Sequence, residues 1–352
     1  MPPRVRFAPS PTGNVHIGNI RVAIFNWLFA RHNGGRFLLR IEDTDRERST
    51  PEAIRNLLDV LDWLKLDCDE APFYQSQAVE AHQRAADSLV EAGHAVRLSD
   101  DNGGQAVRFR IPFDAEGFPE IQTDGPAEIA IHPDQPVSVS LDGVTFASVS
   151  KKGKPVPQAG CLAGFRHLEV LADNNAVLFR LDDHLEAILG GEPIAPVSGG
   201  TRINFTRRSV GFVDQIKGEL RKPLDTMKDL IIVRTDGSPV FHLANVCDDA
   251  EQRVTDIIRG DDHVENTYRH VLLYRALGLA PPRYAHLPMI VNQQGKPYSK
   301  RDGDAFVGDF RAKGYLPDAL VNYLALLGWS PGDDREKLTR EEMVAAFTLD
   351  RV

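Results

Sequence analysis

Arg6-Phe7-Ala8-Pro9-Ser10-Pro11-Thr12-Gly13-Asn14-Val15-His16-Ile17-Gly18-Asn19 reads as a strand, a tight turn and the start of a helix that carries an imidazole. Pro9, Pro11 and Gly13 punctuate the turn. Ile17, Ile20, Ile24 and Trp27/Leu28 then recur at helical spacing, which puts His16 and Gly18 at the helix N-terminus. Free N–H groups and the positive dipole end attract phosphate there. Gly18 lets a planar ring or a ribose approach the backbone, and His16 can donate a hydrogen bond to a phosphate that is gaining charge. The segment is a candidate nucleotide-phosphate site.

Outward from it, Arg4 to Ala8 reads as a strand, Ile17 to Arg31 as a helix stopped by Gly34-Gly35, and Arg36 to Ile41 as a second strand. Such a βαβ unit has parallel strands, a right-handed crossover and a shared crevice at the strands' C-terminal ends. Ligands of open α/β sheets bind in that crevice, so Ser10, His16, Glu42 and Asp43 are expected around one cavity. Ser49 and Glu52 form a capping box for a helix whose stripe is Ile54, Leu57, Leu58, Leu61 and Leu64. A further helix runs from about Gln77 to Ala92 and stops at Gly93.

From about Ala106 to Val210 the pattern changes. Val137, Val139 and Leu141, then Val144, Phe146 and Ser148, alternate around Asp142-Gly143, a hairpin signal. Helical periodicity is weak until Phe179 to Leu189, so the region reads as an inserted, strand-rich domain. Regular α/β alternation then resumes: a strand at Leu230 to Arg234, a turn at Asp236-Gly237, strands at Phe241 to Val246 and Thr255 to Ile258, and the sequence Arg259-Gly260-Asp261-Asp262-His263. A helix with Leu272, Leu273, Ala276 and Leu277 inward closes at Gly278, His286 to Val291 forms a last strand, and Pro317 to Leu327 begins another helix.

The chain has 352 residues, which points to two or three domains. A net charge of −9 excludes a surface that is basic throughout, but a local basic stripe would suffice for nucleic acid. Lys and Arg cluster at 207–208, 217–222, 296–301 and 151–154. The Lys151-Lys152-Gly153-Lys154 run admits two readings, a phosphate contact or a solubilised loop. Cys68, Cys161 and Cys247 are widely separated, which supports neither a disulfide framework nor a zinc knuckle. No apolar run would span a bilayer and no signal peptide opens the chain, so a cytoplasmic location without membrane contact is the expectation.

A second motif, Lys296-Pro297-Tyr298-Ser299-Lys300-Arg301, is a cationic loop between Gly295 and Gly303. Together with the first segment it resembles the two signatures of class I aminoacyl-tRNA synthetases. RFAPSPTG, GGRFLLRIEDTD, SPVFHLANVCDD, IIRGDDHVENT, YAHLPMI and YSKRDGD, in that order, resemble glutamyl-tRNA synthetases of the bacterial type. The resemblance covers residues 4 to about 112 and about 210 to 352.

The resemblance implies a Rossmann-like α/β nucleotide-binding fold in two halves, 1–105 and 211–300, interrupted by a connective, acceptor-binding insertion at 106–210. Residues 301–352 would hold the lysine loop and the start of a helical stem-contact region, with the anticodon-binding domain absent and the chain a monomer. It implies activation of L-glutamate with ATP, accompanied by Mg²⁺, and transfer to tRNA-Glu. His16, Asn19 and Lys300 would be catalytic. ATP would meet His16, Gly18, Gly260, Asp262, Met289, Ile290, Ser299, Lys300 and Arg301. The amino acid would meet Arg6, Ala8, Ser10, Glu42, Phe241, Asn245 and Arg259, the arginines binding carboxylates and Glu42 with Ser10 taking the α-amino group.

Two departures stand out. Asn19 replaces the last histidine of the first signature, as is usual in glutamyl enzymes, and Pro297 replaces the leading lysine of the second, with Lys296 one residue earlier. Phe241 stands where the family often has tyrosine. The glutamyl-queuosine synthetases are a related possibility, but their zinc-binding cysteines are missing here, and no structural zinc is expected. A non-catalytic nucleotide-binding protein of the same topology is the alternative from a different class. Residue by residue, local readings compete: Arg6 as a salt bridge to Glu42, Asp262 as a helix N-cap, His16 as a surface residue.

Overall fold

The strand β1 (Arg4–Phe7) leads through the proline turn into α1 (Ile17–His32) and returns as β2 (Arg36–Ile41), parallel to β1 with Arg6 opposite Leu38. The structure, a computed structural model, describes residues 2–11, 13–45, 48–99, 103–298 and 303–352. α1 is buried almost all round, Arg21 and Asn26 included, because it is packed between the sheet and later helices. A helix buried on all sides must satisfy its own polar groups. The Asn26 amide nitrogen does so by donating to Val22 O and to Ile258 O at 2.8 and 2.9 Å.

After α2 (Pro51–Trp63), β3 (Phe73–Tyr74) joins β2 in parallel, and α3 (Val79–Glu91) follows. β4 (Ala95–Ser99) and β5 (Gln105–Phe109) form an antiparallel pair. The intervening region then lays down β6 (Ile121–Ala130), the hairpin of β7 (Ser138–Ser140) and β8 (Gly143–Val149), β9 (Pro155–Gly160), β10 (Phe165–Leu171), β11 (Val177–Arg180) and the short α4 (Leu185–Leu189). Its core gathers Val137, Val144, Phe146, Phe165, Leu168 and Ile203.

β12 (Arg202–Asp214) is the long connector. It pairs antiparallel with β6, β10 and the next strand β13 (Gly218–Pro223), and at its last residue it turns parallel, Asp214 lying opposite Tyr284. β14 (Leu230–Val233) adds to β5, and α5 (Phe241–Glu251) leads to β15 (Asp256–Gly260), α6 (Val264–Ala276) and β16 (Arg283–Leu287), with β15 and β16 parallel. β15 lies beside β1, where the Thr255 amide donates to Arg4 O at 2.9 Å and the Arg4 amide to Thr255 Oγ1 at 2.8 Å. The parallel strands β3-β2-β1 and the parallel pair β15-β16 thus stand side by side, and the C-terminal ends of β1, β2, β15 and β16 share one crevice. α7 (Val307–Ala312), α8 (Pro317–Leu326) and α9 (Arg340–Ala346) complete the chain, with α8 and α9 packed on α1.

Several local expectations are corrected. Phe241 to Val246 is not a strand but the start of α5, whose short apolar-polar alternation reflects a helix with buried residues on several faces. The cap of α2 is Thr50, whose hydroxyl accepts from the Ala53 amide at 3.2 Å, and not Ser49, because Pro51 fixes the first helical position one residue later. Phe179 to Leu189 divides into strand and helix: Phe179 belongs to β11, and only Leu185–Leu189 is helical. The last strand begins earlier than His286 and ends at Leu287, since Pro288 cannot continue the ladder. Among the described residues no helix is long and apolar enough to cross a membrane.

Candidate active site

The C-terminal ends of β1, β2, β15 and β16 open onto a cleft of about 630 Å³. Of the residues singled out from the sequence, Arg6, Ala8, Ser10, His16, Gly18, Asn19, Glu42, Phe241, Asn245, Arg259, Gly260, Asp262, Met289 and Ile290 all line it. Ser299, Lys300 and Arg301 lie outside the described residues. Asp43 is the exception to the expected cavity: it does not line the cleft, and its carboxylate instead accepts from the Ser76 amide and hydroxyl at 2.8 and 2.7 Å. Alternation along an extended chain sends Glu42 and its neighbour to different places.

At the start of α1 the geometry refines the sequence reading. The Gly18 amide donates to His16 Nδ1 at 3.0 Å, Ile17 N donates to Ala305 O at 2.9 Å, and Asn19 N reaches His16 O at 3.0 Å. These first amides are therefore not free for phosphate, contrary to expectation. What the helix end presents is its dipole and the imidazole. With Nδ1 accepting, the neutral ring carries its proton on Nε2 and can donate there. Burial lowers the His16 pKa, which favours that neutral form.

The same backbone is joined to the segment that follows the second signature. Ala305 accepts from Ile17, Val307 N donates to Val15 O at 3.0 Å, and the Phe306 and His16 rings meet edge to face. On the other flank, Tyr298 N donates to Ile290 O at 2.9 Å, and Pro297 and Tyr298 line the cleft. Arg21 holds the adjoining segment by donating from Nη1 to Pro288 O at 2.6 Å.

The buried charges divide into two kinds. Arg6 donates to Asp249 from Nε at 2.9 Å and from Nη2 at 3.4 Å, and Arg40 reaches the same carboxylate at 2.5 Å. Burial works against the Asp249 charge, but Arg40 and Arg6 outweigh it and hold its pKa below the ordinary carboxylate range. Arg6 is thus paired with Asp249 rather than Glu42, and it shares that one carboxylate with Arg40. Arg259 has no such partner: among the described residues its partners are Thr267 Oγ1 at 2.6 Å, His263 O at 3.3 Å and His286 Nε2 at 3.3 Å, all neutral acceptors. Desolvation lowers its pKa to about 10, still far above neutrality, so a buried full charge faces the cleft. A buried cation without a counter-charge is an anion site.

Opposite it, Glu42 is engaged by Arg40 at 3.3 Å and by Asn245 Nδ2 at 3.2 Å. Burial raises its pKa despite Arg40 and Arg6 nearby. The site therefore offers a cation and a carboxylate within one cavity, the complement of an amino acid. Gly260 lets Asp262 lie close: a Cβ there would come within 2.4 Å of Asp262 Oδ1 and make that side chain shift.

Sequence reasoning missed Asp249, Arg40 and Arg21. Asp249 follows Asn245 by four residues, one turn of α5, and a helical reading of that stretch would have put both on one face. Arg40 and Arg21 carried no comparable signal, since buried arginines are uncommon and look like surface charges in a sequence.

A sequence model of the family described as tRNA synthetases class I (E and Q), catalytic domain, matches residues 3–102 and 201–352. The chain belongs to this family. The class I synthetase match leaves out residues 103–200, the region holding β5 to β11 and α4. Among its relatives, the glutamate–tRNA ligase of Synechococcus sp. (strain JA-2-3B'a(2-13)) is 39% identical over 349 residues, 99% of this chain and 61% of that protein. Glutamate–tRNA ligase 1 of Acidiphilium cryptum is 40% identical over 353 residues, 99% of this chain and 62% of that protein. The chain thus spans less than two thirds of the length of these curated relatives.

Among solved structures, a glutamate tRNA ligase from Elizabethkingia meningosepticum in complex with its amino acid is 29% identical with a TM-score of 0.67, covering 100% of this chain and 66% of that one. The synthetase from Elizabethkingia anophelis is 26% identical with a TM-score of 0.64, covering 100% and 67%. The fold is the Rossmann-like α/β fold of a class I synthetase catalytic domain.

Proposed function

We propose that this chain activates L-glutamate with ATP and transfers the glutamyl group to the 3′ end of tRNA-Glu. The observation that carries the proposal is a buried, uncompensated Arg259 in the same cleft as a donor imidazole, His16, within a chain of the class I (E and Q) family. A substrate carboxylate would lie against Arg259, the α-ammonium against Glu42 and Ser10, and Asn245 would help orient Glu42. Arg6 would meet the second carboxylate through Nη1, the guanidinium nitrogen that Asp249 leaves open.

In the first step a carboxylate oxygen of glutamate bonds to the α-phosphorus of ATP and the bond to pyrophosphate breaks. No protein nucleophile is required, so positioning and preorganised donors supply the acceleration. His16 Nε2–H and Asn19 would stabilise the crowded phosphorus centre, and one such donor is worth about 3 kcal/mol of barrier. Gly18, Gly260 and Asp262 would receive the ribose and the backbone of Met289 and Ile290 the adenine. Lys300, with Ser299 and Arg301, would hold the leaving phosphates. In the second step a terminal ribose hydroxyl of tRNA bonds to the acyl carbon and AMP leaves. The insertion at 106–210 would touch the acceptor end, and the chain would act as a monomer.

Among the described residues no group of three or more His, Cys, Asp or Glu side chains is arranged to hold a metal ion. Mg²⁺ would enter with ATP, on its phosphates.

ATP–pyrophosphate exchange with and without tRNA-Glu, followed by charging of tRNA-Glu against queuosine-containing tRNA-Asp, tests the reading. Glutamate-dependent exchange and charging of tRNA-Glu are expected. Exchange absent under every condition would favour a nucleotide binder without catalysis, and selective charging of the tRNA-Asp would favour the queuosine enzyme. Lys300→Ala should abolish adenylate formation while the protein stays folded.

A further inference from the structure

Arg259 is aimed by a relay that does not itself reach the cleft. His286, wholly buried on β16, lies with Nδ1 2.6 Å from Asp214 Oδ2, while its Nε2 lies 3.3 Å from Arg259 Nε and 3.0 Å from Thr267 Oγ1. Asp214 Oδ1 accepts from the Ile216 and Lys217 amides at 3.0 Å each and from the His286 amide at 3.3 Å. Neither Asp214, His286 nor Thr267 lines the cleft. A carboxylate can only accept, so the ring's proton sits on Nδ1 and Nε2 offers a lone pair. The guanidinium Nε–H then has an acceptor that carries no charge. The Thr267 hydroxyl accepts the 2.6 Å bond from Arg259 Nη2 and donates its own proton onward to His286 Nε2 or His263 O.

The chemistry of this choice differs from that at Arg6. A carboxylate placed directly on Arg259, as Asp249 is on Arg6, would orient the guanidinium but cancel its charge. A neutral imidazole orients it and leaves the charge for a ligand. Burial lowers the His286 pKa although Asp214 raises it, consistent with a neutral ring.

We propose that Asp214 and His286 are positioning residues that fix Arg259 toward the substrate carboxylate by holding His286 in the Nδ1–H tautomer. Thr267 braces the same guanidinium from α6. Because Asp214 is the last residue of β12, the strand shared with β6, β10 and β13, the aim of Arg259 is tied to the position of the intervening sheet. The proposal rests on glutamate being the substrate.

Asp214→Asn is the direct test. The amide oxygen can keep accepting from the three backbone N–H groups, while the NH₂ faces Nδ1 and moves the ring proton to Nε2, where it opposes the Arg259 N–H. The KM for glutamate in exchange should rise about tenfold, the worth of one hydrogen bond to a charged group, with the KM for ATP changed by less than about twofold. Thr267→Val should show the same split. In ¹⁵N-histidine spectra of the full chain, His286 should be Nδ1-protonated in the wild type and Nε2-protonated in Asp214→Asn.

An unchanged glutamate KM in both folded variants would overturn the proposal. So would parallel rises for both substrates with a lowered melting temperature, the mark of a purely structural role. If the wild type shows no glutamate-dependent exchange, the functional reading fails on its own. The histidine spectra then still decide the relay: a ring that keeps its tautomer in Asp214→Asn refutes it.

Discussion

The amide of Gly18 donates to Nδ1 of His16 over 3.0 Å, so one imidazole both caps α1 and presents its other nitrogen to the cleft. The two roles are separable by substitution. In His16→Asn the side-chain oxygen can replace Nδ1 as the cap, and stability should change by less than about 1 kcal/mol. The Nε2 donor is gone, so the adenylation rate should fall about 10²- to 10³-fold. Single-turnover adenylate formation beside thermal unfolding checks both, and a loss of only a few-fold would remove His16 from the phosphorus centre.

Asp249 compensates Arg6 and Arg40 at once. Asp249→Asn should leave two buried cations short of a counter-charge and cost about 3–5 kcal/mol, as breaking a buried pair from one side does. Arg40 keeps Glu42 and Asp248 at 3.3 and 3.8 Å, which places the effect toward the lower end. Urea unfolding measures it, and a shift in midpoint too small to resolve would show that the cluster is not needed for the fold.

Arg259→Met should behave in the opposite way. Its present partners are neutral, so its removal relieves a desolvated charge, and stability should hold or rise while glutamate binding is lost. Calorimetric titration of glutamate alongside a melting curve distinguishes this from a variant that simply unfolds.

Gly260→Ala brings a methyl to within 2.4 Å of Asp262 Oδ1. The carboxylate is at the end of a rotatable side chain and can swing aside, so the fold should survive. The KM for ATP should rise several-fold while that for glutamate stays put. Equal effects on the two substrates would take Asp262 out of the nucleotide subsite.

Acid sensitivity follows from the neutral histidines of α5 and α6. Burial, with Arg269 and Arg259 adding to it, takes His242 down to about 4, and burial with Arg259 takes His270 well below its ordinary value. Both are neutral in either state above pH 6.5. As pH falls from 6.5 toward 4 the unfolded chain takes up protons that the folded chain refuses, so stability drops, by up to about 1.4 kcal/mol per pH unit for each group. Unfolding midpoints from pH 7.5 to 4.5 should decline, and less steeply in His242→Asn; a flat profile would contradict the assignment. Asp249 acts only further down. Its lowered pKa gives stability that is present above the ordinary carboxylate range and is lost as pH falls through the folded value.

Much of the cleft was legible because local chemistry dictated it. The proline-glycine turn before His16 and the periodic apolar face of α1 fixed a βαβ unit, and that unit alone carries Ser10, His16 and Glu42 to one crevice. Arg259 and Gly260 were expected there from the family resemblance, and they stand at the end of β15, on the cleft. Phe241 and Asn245, named from the resemblance, line the cleft, but from a helix and not from the expected strand. Six residues of mixed polarity do not reveal their period, and the burial that makes α5 helical comes from neighbours distant in the chain.

What the sequence could determine by itself were the features set within a few residues: where α1 begins, which turns stop the helices, and which side chains stand at strand ends. Which arginine keeps its charge is decided only in three dimensions. Arg6 meets Asp249 across 243 residues, whereas Arg259 meets His286, held in turn by Asp214 across 72. Compensation depends on distance and dielectric, both properties of the packed interior, and neither is written in the order of the residues.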